Sequence, residues 1–234
     1  MDYSNPLLIK LRRIGQQLHI LRPMLTFWRK LTGAAYEEAF DKYIVSAITP
    51  SSIVWDIGAN IGFFTEKFLI ATGDTGKVIA FDPSPGCIET LSKKFSGNSA
   101  VIIEPVGLSD ASGVASFSAS DSTDPTGGIG VRPQHDNVVE VNITTGDEYV
   151  ESHKSRMPNY IKIDVEGYEF DVIKGMSTLL SNHNLRGVFI EVHFLELAKR
   201  NLADAPTEIV NIMKKNGFSV RWIDPSHLAA ERIQ

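Results

Sequence analysis

From residue 50 onward, short apolar β-rich runs alternate with stretches of helical pattern, and that alternation leaves few folds open to the chain. "SIVWDIG" (52–58), "KVIAFD" (77–82), "AVIIEPVGL" (100–108), "YIKIDV" (160–165) and "GVFIEVHF" (187–194) each read as a strand buried on both faces, the pattern of a parallel sheet. Helical patterns near 62–72, 84–96, 146–155, 168–181 and 205–216 fall between or after them. The expected fold is therefore α/β, a Rossmann-like, doubly wound and mostly parallel sheet. "FSVRWID" (218–224) would add a last strand, with an antiparallel edge position open to it. One interruption, residues 109–145, carries two alternating runs, "VASFS" and "VVEVNI", around a Ser/Asp/Gly/Pro-rich stretch, and reads as a hairpin or loop insertion. Thr145 and Glu148 mark its end as a capping box for the helix that follows.

A length of 234 residues with ordinary apolar content supports one sizeable core. We expect an N-terminal helical extension over 1–48 and one ligand-binding domain over 49–234. Charge is unevenly placed: residues 1–33 hold six Arg/Lys against Asp2 alone, whereas the remainder is strongly acidic. An acidic body argues against nucleic acid as a partner. In the basic stretch Leu11, Ile14, Leu18, Leu21 and Leu25 recur at helical spacing beside Arg12, Arg13 and Arg22. Such a stripe packs on the body or across a homo-oligomer, or touches an anionic membrane surface or acidic partner. No run is long enough for a bilayer and no secretory signal is read, so a cytoplasmic protein is expected. Cys87, the only cysteine, excludes an internal disulfide and a cysteine-based zinc site.

The first chemical motif is "VWDIGANIGFFTEKF", an acid at a strand end followed by Gly58, Ala59, Asn60 and Gly62 and then a helix. Gly58 permits a tight turn and close backbone approach, and the N–H groups at the helix start suit an anion. A dinucleotide fingerprint would need glycines at 60 and 63, where Asn60 and Phe63 stand. Asp56 would repel a pyrophosphate and favour a cation such as an amino-acid ammonium, which points to S-adenosylmethionine. At the next strand end Asp82, followed by Pro83, can take both hydroxyls of an adenosine ribose. The backbone of Val106, Gly107 and Leu108 could line the adenine.

The ordered set "DIGANIGFFT", "VIAFDPSP", "EPVGLSDASGVASF", "IKIDVEGYEFDVIKGM" and "VFIEVH" resembles the FkbM family of S-adenosylmethionine-dependent methyltransferases, over about residues 36–195. The resemblance implies a class I methyltransferase fold and transfer of methyl to a hydroxyl of a sugar, glycan or other natural-product scaffold, with S-adenosylhomocysteine as product. It implies that Asp56, Gly58, Asn60, Gly62 and Asp82 hold the cofactor while Asp164, Glu166, Glu191 and His193 border the acceptor. The chain departs from the family at Gly146, where a leucine is usual, which predicts a less anchored helix start.

An aliphatic hydroxyl needs a base or a metal as it is methylated. His193 is the preferred general base, since an ordinary imidazole is neutral at cellular pH. Glu191 would orient it, and Asp164 would hold the cofactor's ammonium or orient the acceptor. The less favoured route has Asp164 and Glu191 ligating Mg²⁺. A different class altogether is a non-catalytic, cofactor-binding interaction protein. The other histidines, His19, His135, His153, His183 and His227, show no metal spacing and read as solvated positions. Of the acids in "DVEGYEFD", Asp164 and Glu166 read as functional, while Glu169 and Asp171 fall in a helix first turn and read as dipole partners.

Overall fold

The computed structural model describes residues 39–119, 128–129 and 137–232. The amphipathic pattern around Leu11–Leu25 and most of the Ser/Asp/Gly/Pro-rich stretch lie outside these residues. Chain order runs α1 (39–47), β1 (Ile53–Ile57), α2 (Phe63–Thr72), β2 (Lys77–Phe81), α3 (Pro85–Lys94), β3 (Val101–Glu104) and β4 (Gly107–Leu108). It continues with β5 (Gly113–Ala119), β6 (Gly128–Ile129), β7 (Asn137–Thr144), α4 (Gly146–Ser152), β8 (Tyr160–Ile163), α5 (Glu169–Lys174) and α6 (Ser177–Ser181). Last come β9 (Gly187–Glu191), α7 (Phe194–Lys199), α8 (Ala205–Lys215), β10 (Phe218–Trp222) and β11 (His227–Arg232).

The main sheet has the order β10-β11-β9-β8-β1-β2-β3. The pairs β1/β2, β2/β3, β1/β8 and β8/β9 are parallel, and only β11 runs against its neighbours. Because β1 leads to β2 on one side and is flanked by β8 on the other, the order reverses between β1 and β8. A crevice at the carboxyl ends of these two strands is where ligands bind in open α/β sheets.

Both faces of the sheet are apolar, as continuous strand runs require. Trp55, Ile57, Ile79, Phe81, Ile161, Ile163, Val188 and Ile190 face one cluster, closed by Tyr149, Ile173, Met176 and Leu180. Val54, Val78, Tyr160 and Phe189 face the other, which Phe68 of α2 and Phe40 and Ile44 of α1 cover. The described end of the N-terminal extension is thus part of the domain's packing. A smaller sheet, β4-β7-β5-β6, joins the three strands of the insertion to β4 just before it.

Four local expectations change. The run 100–108 splits into β3 and β4 at Pro105, which has no N–H for a ladder. The helix expected over 168–181 breaks into α5 and α6 at Gly175, where a Cβ would sit 1.9 Å from the Ser109 carbonyl oxygen. Strand β9 stops at Glu191, and His193 opens α7. Finally, β10 takes the edge, and the antiparallel strand is β11, inserted between β9 and β10.

The helix start after Thr145 is also better held than Gly146 alone suggests. Thr145 Oγ1 accepts from Glu148 N at 3.1 Å, while Ser112, rather than Glu148, accepts the Thr145 N–H. A Cβ at Gly146 would lie 2.4 Å from Met176 Cγ, so glycine lets α4 close on the core. Asp147 then caps α6, accepting from Thr178 N and Leu179 N.

Candidate active site

Strand β1 delivers the chain to the crevice, and Gly58 turns it with φ 76°. A Cβ on Gly58 would lie 1.8 Å from the backbone oxygen of Asp164, so the loop crosses the end of β8 at backbone contact. Gly58 N and Ala59 N both donate to Phe81 O at 3.0 Å. Asn60, itself left-handed at φ 51°, donates its N–H to Asp82 Oδ2 at 2.8 Å. Asp82 Oδ1 accepts from Ser84 N at 2.9 Å, across the half-buried Pro83. Burial pushes the Asp82 carboxyl up from its ordinary value against these bonds. Gly62 (φ 79°) packs on Leu91 and Phe95, leaving Ile61 and Phe63 exposed on the rim. The residues expected to hold the cofactor, Gly58, Ala59, Asn60, Gly62, Asp82 and Pro83, therefore lie on the loop after β1 and at the end of β2, with Gly58 against Asp164.

In the expected cofactor set the side chains of Leu108 and Asp56 are buried, and for Leu108 the expectation concerns its backbone. Leu108 is 2 % exposed, and its side chain belongs to the core beside Phe81 and Tyr149. Asp56 is fully buried, with Oδ2 accepting from Thr65 Oγ1 at 2.6 Å and Oδ1 facing Lys162 Nζ at 3.4 Å. Its carboxylate is engaged inside the fold and has no exposed surface to offer an ammonium group. Asp164, half-buried, is the carboxylate open to the crevice.

Lys162 carries no motif that marks it in the sequence. It stands opposite Asp56 in the β1/β8 register and is 3 % exposed. Its ammonium lies 3.4 Å from Asp56, 3.3 Å from Asp164 Oδ2 and 3.1 Å from the Gly58 carbonyl, to which it donates. Burial opposes its charge, yet the Asp164 and Asp56 carboxylates raise the ammonium's pKa above the ordinary lysine value. One buried cation thus ties the glycine loop to the ends of β1 and β8. The available signal was a lysine inside an otherwise apolar strand, two residues before Asp164.

Beyond Asp164 the acids gather on one imidazole. His193 Nδ1 meets Glu169 Oε1 at 2.6 Å. Nε2 faces Glu166 at 3.5 Å, Asp164 at 3.8 Å and Glu191 at 3.9 Å. Asp164, Glu166, Glu191 and His193, the residues expected to border the acceptor, are therefore brought together around one ring. Their electrostatics differ from the expectation of a neutral base. Burial works against charge, but the Glu169 hydrogen bond and the Glu169, Glu166 and Asp164 carboxylates push His193 up to about 10. In this arrangement the ring is an imidazolium at neutral pH.

Two residues expected to be bland are part of this cluster. Glu169 is fully buried and bonds Gly167 N at 2.9 Å as well as His193, so it is far more than a helix-dipole partner. Asp171 is structural, accepting from Arg200 at 2.6 Å. His227, expected in solvent, is 7 % exposed and stacks on Phe40 at 4.0 Å. Its Nδ1 meets Asp224 Oδ2 at 2.6 Å, and its Nε2 faces Glu191 Oε2 at 3.4 Å from the opposite register position on β11. Burial opposes its charge, but Asp224 and Glu191 raise it to about 9. Burial raises Glu191 too, and is outweighed by His227, His193 and Lys162, which hold it down at about 2. One ligand atom from each of Asp164, Glu191 and His193 lies within 4.8 Å of the others.

A Glu169→Gln substitution tests this arrangement directly. Losing the carboxylate behind Nδ1 removes the strongest support for the imidazolium, so the His193 titration followed by NMR is expected to move down by ~1–3 pH units. An unmoved titration would show that Glu169 does not govern the ring.

The chain is similar to known proteins in sequence and in fold. The chain is 31 % identical over 159 residues to a hexuronic acid methyltransferase of Haloferax volcanii, covering 67 % of this chain and 62 % of that one. It is 25 % identical over 155 residues to Methyltransferase 1 of Beauveria bassiana, covering 57 % of this chain and 62 % of that one. The chain thus spans about 62 % of the length of these curated relatives. Among solved structures, a putative rRNA methylase from Clostridium thermocellum shares the fold at TM-score 0.53 with 11 % identity, covering 85 % of this chain and 96 % of that one. The model of the methyltransferase FkbM domain matches residues 56–220, from the buried acid of β1 into β10. The chain belongs to the FkbM methyltransferase family.

Proposed function

We propose that this protein is an S-adenosylmethionine-dependent O-methyltransferase acting on an oxygen of a sugar, with a uronic-acid-containing glycan the favoured acceptor class. The observation that carries the reading is the adjacency of two unlike surfaces at one sheet edge. A glycine-turned loop, tied to Asp82 through Asn60, crosses the half-buried Asp164, whose Oδ2 faces Lys162 and whose Oδ1 faces the His193 cluster. The residues fit the cofactor: Gly58 lets the loop cross the end of β8 at backbone contact, bringing it beside Asp164, and Asp82 is fixed by two backbone N–H groups at a strand end. Gly58, Ala59, Asn60 and Gly62 would hold it, with Asp82 on the ribose and Asp164 on the ammonium. When bound, it supplies an electrophilic methyl group and leaves as S-adenosylhomocysteine. The acceptor class is supported by the hexuronic acid methyltransferase relative.

The chain's own residues position the acceptor and take its proton. His193, a cation among its four carboxylates, donates toward an acceptor oxygen rather than beginning as its base. We assign the proton to Glu166, whose left-handed backbone (φ 50°) holds its carboxylate 3.5 Å from His193 Nε2. Backbone strain of this kind at a non-glycine residue is retained where the surroundings enforce it. His193→Ala is expected to lower turnover by ~10²–10⁴-fold while cofactor affinity stays within a few-fold. Unchanged turnover would remove His193 from the reaction.

Isothermal titration with S-adenosylmethionine and S-adenosylhomocysteine tests the cofactor, and transfer of labelled methyl to a panel of glycans tests the activity. Cofactor binding with no transfer to any glycan would favour a non-catalytic interaction protein instead. The imidazolium also supports a second reading, in which the acceptor oxygen belongs to the uronic carboxylate and needs no base. Alkaline hydrolysis of the product separates the two, since an ester is cleaved and an ether is not.

A further inference from the structure

We propose that Asp164 Oδ1, Glu191 Oε1 and His193 Nε2 form a binding site for one hard divalent cation of the Mn²⁺ type, which on binding displaces the Nε2 proton and, in place of the imidazolium, holds the acceptor oxygen. This deepens the methyltransferase reading and rests on it for the acceptor. The three donors come from the ends of adjacent strands β8 and β9, with Nε2 at 3.8 Å from Asp164 Oδ1 and 3.9 Å from Glu191 Oε1. Two ligands ~2.0–2.2 Å from a shared ion stand ~3–4.4 Å apart. One ligand atom from each residue lies within 4.8 Å of the others, so the donors need to close by at most about 1 Å to share an ion. Two carboxylates and one imidazole make a donor set between the all-oxygen sites of Mg²⁺ and the nitrogen-rich sites of Zn²⁺, which suits Mn²⁺.

What raises this above a cluster of acids is that every donor is aimed by a second residue from behind. Glu169, fully buried, takes His193 Nδ1 and so directs Nε2 at the two carboxylates. Lys162 holds Asp164 by its other oxygen, Oδ2. His227, itself gripped by Asp224, faces Glu191 Oε2, and the Oε1 atom is the one turned to His193. Each donor thus presents one atom inward while its remaining polar atom is engaged elsewhere, the arrangement by which outer partners orient metal ligands. A cation also resolves an electrostatic conflict. Four carboxylates border His193, and an acceptor bearing its own carboxylate would be repelled by them unless a divalent charge stood between.

The test uses the full chain freed of metal by chelator and titrated with Mn²⁺, followed by electron paramagnetic resonance and calorimetry. One Mn²⁺ per chain is expected, with nitrogen hyperfine coupling from one imidazole. His193→Gln should abolish the coupling, and His193→Gln and Glu191→Gln should each weaken uptake at least ~10-fold. Both replacements are near-isosteric, and retained cofactor affinity with an unchanged circular dichroism spectrum certifies the fold. Absence of Mn²⁺ uptake by the unaltered chain, or equal uptake by all three proteins, overturns the site. Methyl transfer that persists in chelator alongside absent uptake rejects the cation and leaves the methyltransferase reading standing. Mn²⁺ uptake with imidazole coupling but no cofactor binding upholds the site and overturns that reading.

Discussion

Lys162→Met is expected to destabilise the fold by about 3–5 kcal/mol, the cost of leaving buried charges without their partner. Among the described residues its ammonium is the only cation within 4 Å of Asp56, and Asp56 has no exposed surface. Methionine matches the stem's volume but leaves the buried Asp56 carboxyl with Thr65 as its side-chain partner and the like charge of Asp164 nearby. For a chain of this size the melting temperature should fall by roughly 6–20 °C. The double variant Lys162→Met/Asp56→Asn should recover part of the loss, because the orphaned charge is gone. A loss under ~1 kcal/mol in the single variant would show that Lys162 does not balance the pair. Cofactor affinity should drop as well, since the same ammonium holds the Gly58 carbonyl.

Gly58→Ala should be nearly as damaging, for steric reasons. The added Cβ would lie 1.8 Å from a backbone oxygen of Asp164 at the end of β8, which cannot rotate aside as a side chain could. The left-handed φ of 76° adds ~1–2 kcal/mol for any residue with a Cβ. With overpacking of ~1–3 kcal/mol, the expected loss is roughly 2–5 kcal/mol. Gly97→Ala separates the two contributions: its φ is 78°, but nothing lies within 4 Å of where its methyl group would stand. It should cost only the conformational share, about 1–2 kcal/mol, and leave cofactor binding intact. Equal losses at both positions would mean that the crossing of loop and strand is not what requires Gly58.

These two residues show how differently the chemistry is written into the chain. Gly58 is legible because a glycine directly after a buried strand, at the turn into the loop that leads to a helix, has a local conformational reason. Asp82 and Asp164 are legible because polar residues at the ends of apolar runs can only face the carboxyl edge of a parallel sheet. Lys162 looks like one polar residue within a strand, and its importance exists only through Asp56 on the neighbouring strand. Glu169 is indistinguishable from any acid that starts a helix until the turn at Gly167 carries it beneath His193. Strand β11 escapes notice for a related reason: "HLAAER" has no strong strand propensity, and Ala229 and Ala230 are buried because β9 and β10 enclose them.

The class of fold, the order of its parallel strands along the chain, the glycine turn and the strand-end acids Asp82 and Asp164 follow from the amino-acid sequence alone. Hydrophobic period, turn glycines and strand-end acids are local properties, and local pattern suffices to state them. The protonation of His193, the burial of Asp56, the bracing of Glu191 by the Asp224–His227 pair and the convergence of three donors on one point arise only in the folded chain. Those depend on which charges stand within a few ångströms of each other and how much water is excluded between them. Both are set by packing between segments far apart in the chain.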